Sequence, residues 1–336
     1  MSNNNFGIDL GTSQIKIYNQ KRGTTLIEKN MVAVRHRHQL LAIGDEAFEM
    51  FEKNPPSIDV GGSVREGSLS DIDRVEVLLH LLLMKSEPHI GISPNLFFSA
   101  PTNRSGLEER AYYAISNAGN LKNPRVYVID RAICDSIALG IPLSRTEGSL
   151  IINIGAQNTD VSVIAREQVI ISKSIPIGGQ QMNGAICDEL RRADNVLIGH
   201  RTARRLKAVL ANFDEKKSEA RRVIGLDTLS GLPRECIVTS DTVNRAIRTQ
   251  MAAITDEINA FLERTPPQIV QSVRTEGLYL TGGTTQIPGI EKYFAKACQC
   301  RINLSSYYDR CTIRGLEEII THKALHKWAK NIKDRL

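Results

Sequence analysis

One segment recurs in this chain, and the recurrence limits the folds open to it. Phe6-Gly-Ile-Asp-Leu-Gly-Thr-Ser-Gln-Ile-Lys-Ile-Tyr18 and Leu150-Ile-Ile-Asn-Ile-Gly-Ala-Gln-Asn-Thr-Asp-Val-Ser-Val-Ile164 share a plan of apolar strand, glycine turn and second apolar strand. Each copy places an acidic or amide residue just before the turn, and each uses glycine where backbone must approach a ligand closely. Two such turns facing each other can grip one polyphosphate from two sides. The copies differ in charge: Asp9 is a carboxylate able to hold a hydrated metal, whereas the matching Asn153 is neutral.

The duplication extends past the turns. Asn95-Leu-Phe-Phe-Ser-Ala-Pro101 predicts a strand leading through a polar loop into a helix over 107–117, and Gly277-Leu-Tyr-Leu-Thr-Gly-Gly283 leads likewise into a helix over 290–297. This is the pattern of a duplicated α/β domain, with the ligand between its halves. Each half carries an insertion. Residues from about 30 to 64 read as a small α+β insert, with apolar runs at 31–34 and 40–43, a helix near 46–51 and a break at Pro55-Pro56. Residues 181–237 read mainly as helices, 182–193 and 202–212, followed by a charged loop near 214–219 and a strand pair around Leu232-Pro233. A long helix over 241–264 is expected to be capped by Ser240 or Asp241 and stopped by Pro266-Pro267. An amphipathic helix from 316 to about 330 serves either core packing or a membrane or partner face.

With 336 residues, 41% hydrophobic and 24% charged, the chain has material for two core-containing domains. Its six cysteines, at 134, 187, 236, 298, 300 and 311, form neither a zinc-type pair of CxxC motifs nor a dense disulfide framework, as in a reducing cytoplasm. Residues 1–5 are polar, and the most apolar run, 77–84, is interrupted by His80, so neither an export signal nor a membrane span is expected. The net charge of +6 comes from basic residues interspersed with acidic ones in helical segments, which fits solvated faces or contact with anionic lipid. Its densest cluster, between Arg191 and Lys207, has almost no aromatic residues, which argues against nucleic acid as a partner.

In the first turn, the amides around Thr12, Ser13 and Gln14 can point at phosphate oxygens once Gly11 has turned the chain, and the two hydroxyls add donors. Asp9 would accept from metal-bound water beside them. The turn Thr281-Gly-Gly-Thr284 brings Gly282, Gly283 and Thr284 toward the sugar and α-phosphate of a nucleotide.

These motifs, with others that carry no nucleotide chemistry, resemble the actin-like ATPases, and within them the bacterial cell-shape filament proteins of the MreB family. Ile8-Asp-Leu-Gly-Thr12 is similar to the family's first phosphate loop, Ile43-Gly-Asp-Glu-Ala47 to its VGxEA segment and Glu108-Glu-Arg-Ala111 to its VERRA helix. Leu197-Ile-Gly-His-Arg-Thr-Ala203 resembles LIGERTAE, Leu229-Ser-Gly-Leu-Pro-Arg234 resembles STGLPR, Leu262-Glu-Arg-Thr-Pro-Pro267 resembles LEKTPPE, and Tyr279-Leu-Thr-Gly-Gly283 resembles the last loop, LTGGG. The resemblance covers nearly the whole chain. It implies an actin-like, ribonuclease H-like α/β fold duplicated into two lobes around a nucleotide cleft, each with a smaller insert. The expected division is 1–30, 65–142 and 310–336 for the first core, with 31–64 inserted, and 143–180 with 238–309 for the second, with 181–237 inserted. It further implies ATP and magnesium as cofactors, self-assembly into filaments, and a cytoplasmic protein peripheral at the inner face of the membrane, on an anionic surface and beside membrane proteins of wall synthesis.

The catalytic set departs from the family. Its second loop, DIGGGTT(D/E), is here Asn153-Ile-Gly-Ala-Gln-Asn-Thr-Asp160, so that Gly155 is kept, Ala156 and Gln157 fill two glycine positions and Asn158 replaces the water-orienting threonine. The family's IEEP segment is Ile129-Asp-Arg-Ala132, which sets Arg131 where a glutamate activates the attacking water. An arginine cannot accept a proton at neutral pH, and loss of a positioned base costs about 10² to 10⁴ in rate. Arg131 could instead pair with the γ-phosphate. The loss of acid at Asn153 is expected to weaken magnesium. On the nucleoside side Arg204 stands where the family has a glutamate, so ribose recognition changes, while Lys207 is retained for adenine or sugar contacts. The expectation is a filament subunit that binds ATP with weak or absent hydrolysis; an active ATPase compensated elsewhere, a non-polymerising actin-fold adaptor, and an empty nucleotide site are the alternatives. Residues 1–5 hold no amphipathic anchor helix, and Ile90 and Ile92, in Pro88-His-Ile-Gly-Ile-Ser-Pro94, occupy the family's membrane-insertion loop.

Overall fold

The computed structural model describes residues 4–36, 39–65, 68–69, 71–117, 121–214 and 219–332. Within it the chain forms two compact units, Met1–Arg145 with Glu167–Ser172 and Arg310–Leu336, and Thr146–Arg166 with Lys173–Asp309.

The first unit is built on a six-stranded mixed sheet in the order Lys330–Asn331, Arg125–Asp130, Asn95–Ala100, Asn5–Leu10, Gln14–Asn19, Thr24–Lys29. Asn5–Leu10 runs antiparallel to Gln14–Asn19 and parallel to Asn95–Ala100. Its residues are buried on both faces, as a strand covered by helices on both sides must be. Phe6, Ile8 and Leu10 belong to the same apolar cluster as Val75, Leu78, Leu79, Leu82 and Leu83 of the helix Ile72–Ser86. That helix starts where the Asp71 side chain accepts from the Arg74 amide at 3.1 Å. Gly7 faces the opposite side, where a β-carbon would come within 3.0 Å of Ile320 on the helix Cys311–Thr321. A three-stranded sheet of Gln39–Ile43, Val32–Arg35 and Ile58–Gly61, with the helix Gly44–Met50, closes a small core around Ala33, Ala47, Ile58 and Val60.

The helix expected from 316 to about 330 instead runs Cys311–Thr321, followed by a 3₁₀ turn, Lys323–Trp328. Sheet pairing overrides the amphipathic pattern here: Lys330 and Asn331 add an edge strand against Val128 and Tyr127. The buried face of Cys311–Thr321 carries Ile313, Leu316, Ile319 and Ile320.

In the second unit Thr159–Ala165, Ser149–Ile154, Leu278–Thr281 and Ile302–Leu304 lie side by side in one sheet. Ser149–Ile154 pairs antiparallel with Thr159–Ala165 and parallel with Leu278–Thr281, repeating the pattern around Asn5–Leu10. The region 181–237 holds the two expected helices and, around Leu232-Pro233, the expected strand pair. After the helices Gly179–Asp194 and His200–Leu210 it forms a long hairpin, Ala220–Asp227 with Pro233–Thr239, to which Val196–Leu197 adds a third strand. Of the charged loop expected at 214–219, residues 215–218 lie outside the described residues. The long helix is Ser240–Glu263, and Thr239, one residue before the expected caps, accepts from the Thr242 amide. Pro267 opens a further helix, Pro267–Glu276, so the proline pair both stops one helix and starts the next. Among the described residues no helix is long and apolar enough to cross a membrane.

Candidate functional site

The two glycine turns close alike. The Gly11 amide donates to the Gln14 carbonyl at 3.0 Å, and the Gly155 amide donates to the Asn158 carbonyl at 2.9 Å. Around them the registers correspond residue for residue. Asp9 is opposite Lys16 in the hairpin and beside Ser99 in the parallel strand; Asn153 is opposite Asp160 and beside Thr281.

The first turn has a support that the sequence did not reveal. Asn30, buried, donates from Nδ2 to the carbonyls of Gly11 at 3.2 Å and Thr12 at 3.3 Å. Its Oδ1 accepts from the Ser63 amide and hydroxyl, at 3.1 and 2.6 Å. With its carbonyls held from behind, the turn has a fixed backbone in which Thr12, Ser13 and Gln14 remain partly exposed.

Asp9 does not stand as a bare carboxylate. Oδ1 accepts from the Ser99 hydroxyl at 2.8 Å, and Oδ2 accepts from the Lys16 ammonium at 3.2 Å. The Arg131 guanidinium lies 4.0 Å from Oδ1. Burial alone would raise the pKa of Asp9, but Lys16 and Arg131, with the hydrogen bonds from Ser99 and Lys16, hold it below the usual carboxylate range. A divalent cation brought to Asp9 would therefore meet two cations already within ion-pair distance of that carboxylate. Lys16 and Ser99 were both missed at the sequence level; the sign that could have found Lys16 is a lysine at an inward position of an otherwise apolar strand.

Arg131 opens the helix Arg131–Ala138 directly after the strand Arg125–Asp130. The carboxylate beside it in sequence, Asp130, is engaged by Arg104, whose side chain is 5% exposed and also bonds Glu109 at 3.1 Å. Asp130 is thus tied up and poorly placed to act as a general base.

In the second unit the Gly155 carbonyl accepts from the Gly179 amide and from the Thr284 hydroxyl, both at 3.0 Å, and the Ala156 carbonyl accepts from the Gln180 amide at 2.6 Å. Gln157 donates to the Gln180 side chain at 2.8 Å. Gly282 has φ +99°, and a β-carbon there would meet the Ile154 carbonyl at 2.4 Å and Asn153 Oδ1 at 2.7 Å, so only glycine lets this loop lie on the second turn. Gly283 starts a 3₁₀ turn, Gly283–Gln286. Lys207, on His200–Leu210, reaches the Gly179 carbonyl, so it and Thr284 flank Gly179. Burial, with the neighbouring Arg204 guanidinium adding to it, pushes the Lys207 ammonium down to about 7. The structure thus brings Asn153, Gly155, Ala156, Gln157, Lys207, Gly282, Gly283 and Thr284 together, with Arg204 one turn from Lys207. Asn158 donates to the Ser174 hydroxyl at 3.1 Å, and that hydroxyl donates to Asp160 at 2.7 Å. Ile90 packs against the core of the first unit, whereas Ile92 is 72% exposed.

A family model described as MreB/Mbl protein matches residues 3–327. The cell shape-determining protein Mbl of Bacillus subtilis (strain 168) is 29% identical over 86% of this chain and 87% of its own length. Among solved structures, MreB5 of Spiroplasma citri bound to ADP superposes with a TM-score of 0.89 at 24% identity, over 96% of this chain and 97% of that one. A double helical filament of MamK superposes with a TM-score of 0.78 at 18% identity, over 95% and 98%.

Proposed function

The chain belongs to the MreB/Mbl family and has an actin-like fold, and on that premise we propose that it is a filament-forming, cell shape-determining subunit that binds ATP and hydrolyses it weakly or not at all. Thr12, Ser13 and Gln14 of the first unit, and Gly155, Ala156, Gln157, Gly282, Gly283 and Thr284 of the second, supply amides and hydroxyls to the nucleotide, with Lys207 and Arg204 on the nucleoside side. The ADP in the MreB5 structure supports nucleotide binding, and the MamK filament supports self-assembly.

The observation that carries the reading is Arg131. At the position of the family's water-activating glutamate it is a cation directed at Asp9, and the adjacent Asp130 is occupied by Arg104. Arg131 cannot take a proton from water at neutral pH and Asp130 is held by Arg104, so the positioned base is lost, which removes about 10² to 10⁴ of rate. Asn158 can hold a water by hydrogen bond without activating it. Assembly, not turnover, is then the output: filaments lying peripherally on the cytoplasmic face of the membrane, with Ile92 dipping into an anionic interface and guiding membrane proteins of wall synthesis. Phosphate release measured alongside pelleting tests this. Filaments that sediment with ATP while phosphate stays near background support it; release at the rate of a family member with an intact glutamate contradicts it.

A further inference from the structure

We propose that this chain binds nucleotide phosphates without a divalent cation, Lys16 and Arg131 serving as counter-ions built into the protein. The inference rests on the nucleotide-binding reading above and concerns how the phosphate charge is met.

A polyphosphate needs positive charge beside it, and a lone carboxylate at Asp9 would supply that through a hydrated metal. The residues present do not fit such a metal. Lys16 is placed opposite Asp9 by the hairpin register and is itself buried, so the pair is a fixed part of the sheet and not a surface contact. Ser99 takes a lone pair of Oδ1, and Arg131 approaches the same oxygen. Asp9, Lys16 and Arg131 sum to one positive charge, where a lone aspartate would present one negative. Because they are largely buried, salt screens them little. In the second copy the matching residue, Asn153, is neutral, and the carboxylate opposite it, Asp160, accepts from Ser174. A cationic cluster at the end of strands beside an ordered amide turn repels a divalent ion and attracts a phosphate oxygen directly.

Calorimetric titration of ATP into the full chain, in EDTA and in excess magnesium at low salt, tests this with the wild type, Asp9→Asn and Lys16→Met. The wild-type affinity should agree within about threefold between the two media, and Asp9→Asn, which removes a negative charge of nearly the same shape, should tighten binding in EDTA by about tenfold. Lys16→Met should weaken it by a similar factor, its fold checked by melting; if it does not fold, the wild type and Asp9→Asn decide. Wild-type binding that is tenfold or more tighter in magnesium, with the gain lost in Asp9→Asn, would make Asp9 a metal acceptor and overturn the inference while leaving nucleotide binding intact. Absence of ATP binding in both media would remove the nucleotide reading and this inference with it.

Discussion

Lys16 and Asp160 hold the same place in the two copies and carry opposite charge. That reversal, with Asp9 against Asn153, makes the two turns chemically unequal although their backbones match. Asp9 and the turn glycines were legible in the sequence because a glycine turn after an apolar strand is a local pattern. Lys16, Ser99 and Asn30 were not: what they do depends on strand register and on contacts from residues 63 and 99, which no local pattern specifies. Lys207 has a pH consequence of its own. Its pKa falls from 10.5 to about 7 on folding, so between those values the unfolded chain binds more protons than the folded one, and stability rises with pH. Thermal melts should move upward from pH 7 to 10 in the wild type, and that part of the rise should be absent in Lys207→Met. An equal rise in both would show that the Lys207 ammonium is not held in this way.

The strands and helices were read best where period and punctuation agreed, as in the hairpin at 6–18 and the helices at 107–117 and 290–298. They were misread where a distant partner decided. The amphipathic run after 321 gives way because the sheet edge recruits Lys330 and Asn331, and the strand pair expected around Leu232-Pro233 extends over 220–239, a length its half-exposed alternation obscures. The helix Cys311–Thr321 depends on close approach: a β-carbon on Gly315 would lie 1.9 Å from the Cys134 carbonyl of Arg131–Ala138. Gly315→Ala should therefore push those helices apart and cost about 3 kcal/mol, the upper end for overpacking; denaturant melts showing less than about 0.5 kcal/mol would contradict that packing. The loop at 88–94 divides its two isoleucines. Ile92→Ser should reduce co-sedimentation with anionic liposomes and leave the melt unchanged, whereas Ile90→Ser should lower the melting temperature, since only Ile90 packs on the core. Unaltered sedimentation of Ile92→Ser would take this loop out of membrane binding.

For the molecule as a whole, duplication was the legible part: two sheets, each with the same turn, the same register and a parallel strand entering beside it, correspond to the actin-like fold and to MreB/Mbl membership. Its chemistry was legible only as a list of departures, because the meaning of Arg131 depends on Asp9 and Arg104, which are far from it in sequence. Taken together, the two units carry matching glycine turns, and in the function proposed above the positions that would activate water hold Arg131 and Asn158. The decisive experiment is a single-turnover assay: purified protein mixed with labelled ATP, with bound nucleotide extracted and phosphate counted over time under filament-forming conditions. Bound nucleotide that remains ATP while filaments form is the predicted result; conversion to ADP as filaments form, at the rate of a relative with an intact glutamate, would contradict it.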